Sequence, residues 1–362
     1  MLVDPTLWSR RRVLVTGHTG FKGAWLSLWL AEMGAEVTGL ALSPEQPSLF
    51  GQAGLEHLVH HVEGDIRDQD LVDRVVAEAR PQTVFHLAAQ PLVRLSYSEP
   101  RETFATNVQG TVNVLDACRR VEGLEAIVAV TSDKCYDNRE WVWPYRETDP
   151  MGGHDPYSAS KGAAELVIAA YRSSFFNAPG AARLASVRAG NVIGGGDWAK
   201  DRLIPDIVRG IVAGDQIQIR SPHAIRPWQH VLEALGGYLL IAQHLARGDQ
   251  WAASAWNFGP SAQDAQPVSW MVDRMIACWG SGSYEIDRDA KPHEAELLKL
   301  DCSKAHSQLG WRPSFDLSQT IAWIIDWHKA LHDGGDALAL TRRQLTEYRA
   351  LMDRALSESV AR

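Results

Sequence analysis

The sequence predicts an α/β protein, a doubly wound parallel Rossmann sheet with a smaller α/β substrate-binding lobe. Three observations predict it. Short apolar runs alternate with amphipathic stretches over the first 190 residues, as buried parallel strands alternate with covering helices. A glycine-rich turn separates the first apolar run from the first amphipathic stretch. After about Gly190 the pattern changes to a glycine cluster (Gly194, Gly195, Gly196) and shorter elements rich in tryptophan and proline, which marks a second lobe.

Residues 12–16 form the first expected strand, ending in Gly17. The apolar periodicity of 21–33 predicts a helix that stops at Gly34. Strands follow over 36–42 and 58–63, then a helix over 71–79 closed by Pro81 and a strand over 83–87. A helix is expected over 103–120, with Phe104, Val108, Val112 and Leu115 on one face. The strand 126–131, the helix 157–171 and the strand 185–189 complete the sheet. Residues 1–190 are assigned to nucleotide binding, with later helices near 228–254 and 315–335 returning to that body. Residues 191–362 mainly build the second lobe, and the tail from Ala337 reads as a polar helix.

Composition narrows the function. With 45% hydrophobic and 22% charged residues, the chain is neither disordered nor fibrous. A net charge of −8 argues against a general nucleic-acid surface, which needs basic excess to displace counterions. Cys118, Cys135, Cys278 and Cys302 are too dispersed for a metal site or a disulfide framework. The 13 histidines include no H-E-x-x-H spacing, and no metal is expected. The N-terminus lacks the pattern of a signal peptide, and no apolar run approaches the ~20 residues that span a bilayer. The expectation is a cytoplasmic protein with no membrane or nucleic-acid partner.

Gly17-His18-Thr19-Gly20-Phe21-Lys22-Gly23 lies between strand and helix. Its small residues allow a tight turn, bring backbone N–H groups to a pyrophosphate and aim a helix N-terminus at it. The acidic residue that usually ends the second strand and holds the ribose is missing from Leu40-Ala41-Leu42-Ser43-Pro44, and no arginine replaces it for a 2′-phosphate. NAD is therefore favoured over NADP. Asp65 and Ile66 are candidates for the adenine edge. Leu87, Ala88, Ala89 and Gln90 supply the small residues that a backbone passing close to a cofactor requires.

Tyr157 and Lys161 form a Y-x-x-x-K pair, which shares one helix face. An ammonium beside the phenol stabilises phenolate and predicts a Tyr157 pKa below the ordinary value of about 10. Such a base can take a proton from a sugar hydroxyl while hydride leaves the same carbon. Ser132, where the preceding strand ends, adds a hydroxyl for the substrate oxygen, and Asp133 and Lys134 follow it at the carboxyl edge of the sheet.

In this order and spacing, the glycine turn, the strand-end serine and the Y-x-x-x-K helix resemble the extended short-chain dehydrogenase/reductases that act on nucleotide sugars. Longer blocks narrow the likeness. Residues 17–23, Ser132-Asp133-Lys134-Cys135-Tyr136, the run 188–198 (Arg-Ala-Gly-Asn-Val-Ile-Gly-Gly-Gly-Asp-Trp), the run 226–231 (Arg-Pro-Trp-Gln-His-Val) and Pro292-His293-Glu294-Ala295 are similar to the CDP-glucose branch of the nucleotide-sugar 4,6-dehydratases. The likeness covers nearly the whole chain.

The resemblance implies NAD, a CDP-glucose substrate and a lyase reaction: oxidation at C4, loss of water across C5 and C6, and hydride return to C6. That reaction needs two groups beyond Ser132, Tyr157 and Lys161, and Asp133 and Lys134 are placed to supply them. Epimerases of the class need no such acid. As the acid at C6, Asp133 must be protonated, so a raised pKa is expected. Lys134 is either the C5 base, with its pKa lowered by burial or a nearby cation, or a charged stabiliser of the C5 enolate. Thr106 joins the implied cofactor set. Arg202, Arg220 and Arg226 are candidates for the diphosphate. Leu203, Asn191, Trp228, His230 and, by resemblance, His293 are candidates for the rest of the nucleotide sugar. The likeness also implies a homodimer or homotetramer formed through the helices 103–120 and 157–171.

Overall fold

The computed structural model describes residues 3–287 and 297–360, with side chains of the last helix described as far as Asp353. The alternating pattern forms β1 (Arg12–Thr16), α1 (Phe21–Glu32), β2 (Glu36–Ala41), β3 (His60–Glu63), α2 (Gln69–Ala79), β4 (Thr83–His86), α3 (Val93–Ser98), β5 (Ala126–Val130), α4 (Pro156–Ser174) and β6 (Arg183–Ala189). Later come α5 (Leu203–Ala213), α6 (Val231–Arg247), β7 (Ala255–Phe258), α7 (Leu317–His332) and α8 (Ala337–Val360). The seven strands form one parallel sheet in the order β7-β6-β5-β4-β1-β2-β3. The order reverses between β1 and β4, where a crevice opens at the carboxyl ends of the strands.

Alternation along each strand gives the sheet two apolar faces. Val13 and Val15 face one core with Trp25 and Trp29 of α1, Leu235 and Tyr238 of α6, and Tyr348 of α8. Leu14 faces the other core with Val72 and Val76 of α2, Leu115 and Ile168. A third core, built on Ile207, Ile219, Trp228 and Met271, belongs to the elements after β6. Helix α7 joins two of these cores: Trp327 packs in the first, and Ile321 and Ile324 in the third. No helix among the described residues is long and apolar enough to cross a membrane.

Two expectations change. The helix over 103–120 is not continuous. Pro100–Phe104 and Gly110–Cys118 are α-helical, and Ala105–Gln109 between them is a π turn. The extra residue of that turn lets the Asn107 amide reach back to residue 90 and to Ser160 Oγ, at 2.8 Å from the latter. The tail helix is not wholly polar, since Leu345 and Tyr348 are buried in the first core.

Glu233 on α6 ties the tail and the segment before α7 to that helix. Its Oε1 accepts the Ser314 and Phe315 amides at 2.8 Å each, and Tyr348 donates to Oε2 at 3.1 Å. Burial pushes this carboxyl up from its ordinary 4.5 to about 7, against the three hydrogen bonds. The fold therefore holds the proton more tightly than the unfolded chain does, and stability is lost as pH rises from 4.5 through about 7. Thermal melts of the protein should show that decline, about 3 kcal/mol at most. Glu233→Gln, which keeps an acceptor for the two amides, should flatten it.

Candidate active site

The crevice at the strand ends is a cavity of about 530 Å³ that extends to the elements after β6. Its first wall is the glycine turn. Gly17 has φ 75°, and a Cβ there would lie 2.7 Å from the Ala88 amide nitrogen, so only glycine lets the turn meet the end of β4. A Cβ at Gly23 would lie 2.1 Å from the Gly17 carbonyl oxygen. Gly20 differs, because its added Cβ would meet only the Gly17 oxygen, at 3.4 Å. It is the N-cap of α1 and provides no side-chain cap, so the first-turn amides are left for a ligand in the cavity. Thr19, Phe21, Lys22, Asp65, Ile66, Leu87, Ala88, Ala89 and Thr106 continue this wall. The open glycine cradle and uncapped helix terminus suit the diphosphate of a dinucleotide.

The second wall carries the candidate reactive groups. Pro156 begins α4 behind Asp155, whose carboxylate accepts the Ser158 amide at 2.9 Å. This cap orients the first turns of α4 so that Tyr157 and Lys161, both buried, line the cavity. Ser132, Asp133 and Lys134 line it from the end of β5. Asp133 is 4% exposed, accepts the Ser132 hydroxyl on Oδ1 at 2.9 Å, and leaves Oδ2 without a partner among the described residues. Burial raises the Asp133 pKa, opposed by Lys134 and the Ser132 hydroxyl.

Tyr157 departs from the sequence expectation. Its pKa is not depressed. Burial pushes it up to about 12, with the Ser132 hydroxyl opposing. Burial also lowers Lys161 to about 8, while Cys135 and Glu165 work the other way. Desolvation outweighs the pairing of the two in the ligand-free protein. Lys22 is likewise lowered to about 8, by burial and then by the charges of Arg202 and Lys161.

The third wall holds Asn191, Arg202, Leu203, Arg220, Arg226 and Trp228. Arg202 donates to both carboxylate oxygens of Asp197, at 3.2 and 3.1 Å. The Trp228 indole donates to the Gln266 carbonyl at 3.1 Å, which fixes the ring against the cavity. Eight Lys and Arg side chains line the cavity against five Asp, which gives an anionic ligand a local cationic site in a chain of net charge −8.

Three expected contacts do not line the cavity. The His18 ring is fully buried beneath β2: a Cβ at Gly39 would lie 2.2 Å from it, and its Nε2 is 2.7 Å from His61 Nδ1. Gln90 spends its amide on the Leu92 carbonyl and the Thr103 hydroxyl, at 3.0 and 2.9 Å. His230 is fully buried at the start of α6, with its ring edge-on to Trp25, Phe315 and Trp323. His293 lies outside the described residues. Conversely, Arg67, Arg94, Asp197, Asp201 and Asp206 line the cavity without having been singled out. Asp197 lies within the 188–198 block, and Arg67 follows Asp65-Ile66, so both had a nearby signal. Arg94, Asp201 and Asp206 had none, because only the meeting of separate elements brings them together.

The family model described as GDP-mannose 4,6 dehydratase matches residues 14–324. The CDP-glucose 4,6-dehydratase of Salmonella typhimurium is 55% identical over 353 residues, 96% of this chain and 98% of that protein. Among solved structures, the dTDP-glucose 4,6-dehydratase DesIV of Streptomyces venezuelae, with NAD and TYD bound, has a TM-score of 0.78 at 24% identity, covering 90% of this chain and 99% of its own. MoeE5 in complex with UDP-glucose and NAD has a TM-score of 0.75 at 25% identity, covering 88% and 99%.

The Gly20 contacts make a testable distinction between fold and binding. Gly20→Ala should melt within a degree or two of the parent protein, because the new methyl finds space. Its calorimetric affinity for NAD should fall at least about tenfold, because that methyl stands where a diphosphate must approach.

Proposed function

Since the chain belongs to the GDP-mannose 4,6 dehydratase family, we propose that it is an NAD-dependent hydro-lyase that converts CDP-glucose to CDP-4-dehydro-6-deoxyglucose and water. The observation that carries the reading is Asp133, a buried carboxyl with a raised pKa and one unpartnered oxygen, beside Ser132 and Lys134 in the cavity that holds Tyr157 and Lys161. An epimerase has no use for an acid there.

NAD, when bound, supplies positive charge, a hydride acceptor for C4 and a hydride donor for C6. The glycine turn and the α1 terminus would hold its diphosphate, with Asp65 and Ile66 at the adenine edge, Leu87, Ala88, Ala89 and Thr106 along the cofactor, and Lys161 on its ribose. Ser132 donates to the C4 oxygen, and Tyr157 takes the C4 hydroxyl proton. Oxidation at C4 acidifies C5, where Lys134 either takes the proton and returns it as hydride reaches C6 or, charged, stabilises the C5 enolate. Asp133, protonated, gives its proton to the C6 hydroxyl, which leaves as water. Arg202, Arg220 and Arg226 meet the substrate diphosphate, and Asn191, Leu203 and Trp228 enclose the nucleotide sugar.

The test is incubation with NAD and, separately, the glucose diphosphates of CDP, dTDP, UDP and GDP, with mass spectrometry of the products. Loss of one water from CDP-glucose is expected, and loss from another nucleotide alone would replace the substrate. Asp133→Asn should cut water loss by about 10²–10⁴-fold, while reduced cofactor builds up behind the blocked elimination. The parent rate should decline as pH rises through the Asp133 pKa, since the ionised acid has no proton to give, and the variant should lose that limb. Asp133→Asn with full activity and a product of unchanged mass would establish an epimerase instead.

A cytoplasmic homodimer or homotetramer is part of the reading. Leu166 on α4 is 63% exposed and Phe104 is 40% exposed, with Val108 and Val112 half-buried along the neighbouring helices. A second copy covering these apolar residues accounts for them. Leu166→Glu should shift the light-scattering mass to that of a single chain.

A further inference from the structure

The cavity lining holds a charge cluster of which the proposed chemistry uses only Arg220. Arg94 stands on α3, beyond the end of β4, and Arg220 follows the short strand Ile217–Ile219 in the elements after β6. Both donate to one atom, Asp201 Oδ1, at 2.9 Å each. A second nitrogen of Arg220 lies 3.6 Å from Asp206 Oδ2. Asp201 sits in the turn before α5 with φ 60°, a left-handed conformation that few residues other than glycine adopt and that Asp and Asn tolerate best. All four side chains line the cavity. One carboxylate oxygen thus gathers two guanidinium groups from separate parts of the fold, as a phosphate oxygen does between arginines.

We infer that Asp201 stands in for the substrate diphosphate, holding Arg94 and Arg220 in the cavity lining until a nucleoside diphosphate displaces it from them. This rests on the reading above, in which Arg220 meets that diphosphate. Asp201 then sets substrate affinity by competition, since its carboxylate must give up both arginines before the ligand is seated. The exchange is feasible because the groups are only partly buried, with Arg220 26%, Arg94 39% and Asp201 43% exposed. Ion pairs at such exposure are weak, and a diphosphate brings more charge and more acceptor oxygens to the same two forks. Without a ligand, the aspartate keeps both arginines in place and limits the mutual repulsion of the cationic cavity wall.

The competition has a sign that a merely structural aspartate lacks. Asp201→Asn removes the charge and keeps a residue suited to the left-handed backbone, and Asp201→Gly does the same by another route. Calorimetric titration of each variant with CDP and with CDP-glucose should show binding about three- to fivefold tighter than in the parent, the scale of two partly exposed ion pairs. The gain should vanish in an Arg220→Ala background. Arg220→Ala alone should weaken CDP binding about tenfold. Unchanged affinity in Arg220→Ala would remove the diphosphate from this place, and the exchange with it. Weakened affinity there, together with unchanged or weaker binding in both Asp201 variants, would leave the diphosphate site standing and overturn the exchange alone.

Discussion

The catalytic end of the molecule depends on the buried ion pair between Glu165 and Arg188. Both side chains are 4% exposed. The guanidinium meets the carboxylate with two parallel bonds, Nε to Oε1 at 2.9 Å and Nη2 to Oε2 at 2.7 Å. The remaining capacity of the pair is also used. Glu165 accepts the hydroxyls of Thr131 and Ser186, and Arg188 donates to Tyr136 Oη, which in turn donates to Asn257. Burial alone would raise the Glu165 pKa, but Arg188 and the two hydroxyls hold it below the ordinary range. Removing either partner of a buried pair so fully satisfied strands a charge at a cost of about 3–5 kcal/mol.

Its position explains why the reactive groups meet. Glu165 lies one turn beyond Lys161 on α4 and two beyond Tyr157. Thr131 immediately precedes Ser132, and Tyr136 follows Cys135 at the other end of the same short segment. The pair thus fixes α4, the end of β5 and β6 to one another through groups of which only Thr131 lines the cavity. Tyr157, Lys161, Ser132 and Asp133 can then all be held in a desolvated space without direct bonds among every pair of them. Desolvation is also what moves their proton affinities. It raises Asp133, as the proposed acid role requires, and it raises Tyr157 to about 12 while lowering Lys161 to about 8.

The sheet and the glycine turn were legible in the sequence, because both follow local rules: strand alternation, helix periodicity and the steric demands of a tight turn. The strand at 12–16 agrees residue for residue with β1. The continuous helix over 103–120 was not legible as broken, since the π turn follows from the bonds Asn107 makes with residue 90 and Ser160 rather than from its own apolar spacing. His18 and His230 show the same limit. Each lies within a block of functional appearance, yet each ring is taken up by packing, one beneath Gly39 and the other among tryptophans and a phenylalanine. The depressed Tyr157 pKa was expected from pair spacing, which carries no information about burial. Asp201 was invisible for a further reason: its partners are 107 and 19 residues away.

These differences follow from how the two ends of the cavity are built. The glycine turn presents backbone: amide groups, a helix terminus carrying about half an elementary positive charge, and space where side chains are absent. Backbone geometry is dictated by a few adjacent residues, so seven consecutive letters were enough to read it. At the end of β2, where a carboxylate would hold a ribose, Leu42 is 59% exposed, and the nearby Asp65 already accepts Arg67 through its backbone amide and guanidinium, at 2.8 Å for each of two of these bonds. Specific side-chain recognition is correspondingly thin on that side. The opposite end is built from side chains, with Arg94, Arg202, Arg220 and Arg226 contributed by separate elements and balanced by Asp197, Asp201 and Asp206. Charge of that kind is set by three-dimensional assembly, and Arg94, Arg202 and Arg220 are each held by an aspartate from another part of the chain or another turn of it. The dinucleotide end can therefore be recognised from one motif. The opposite end, which the proposed function gives to the nucleotide sugar, has to be argued from side chains that only the fold brings together.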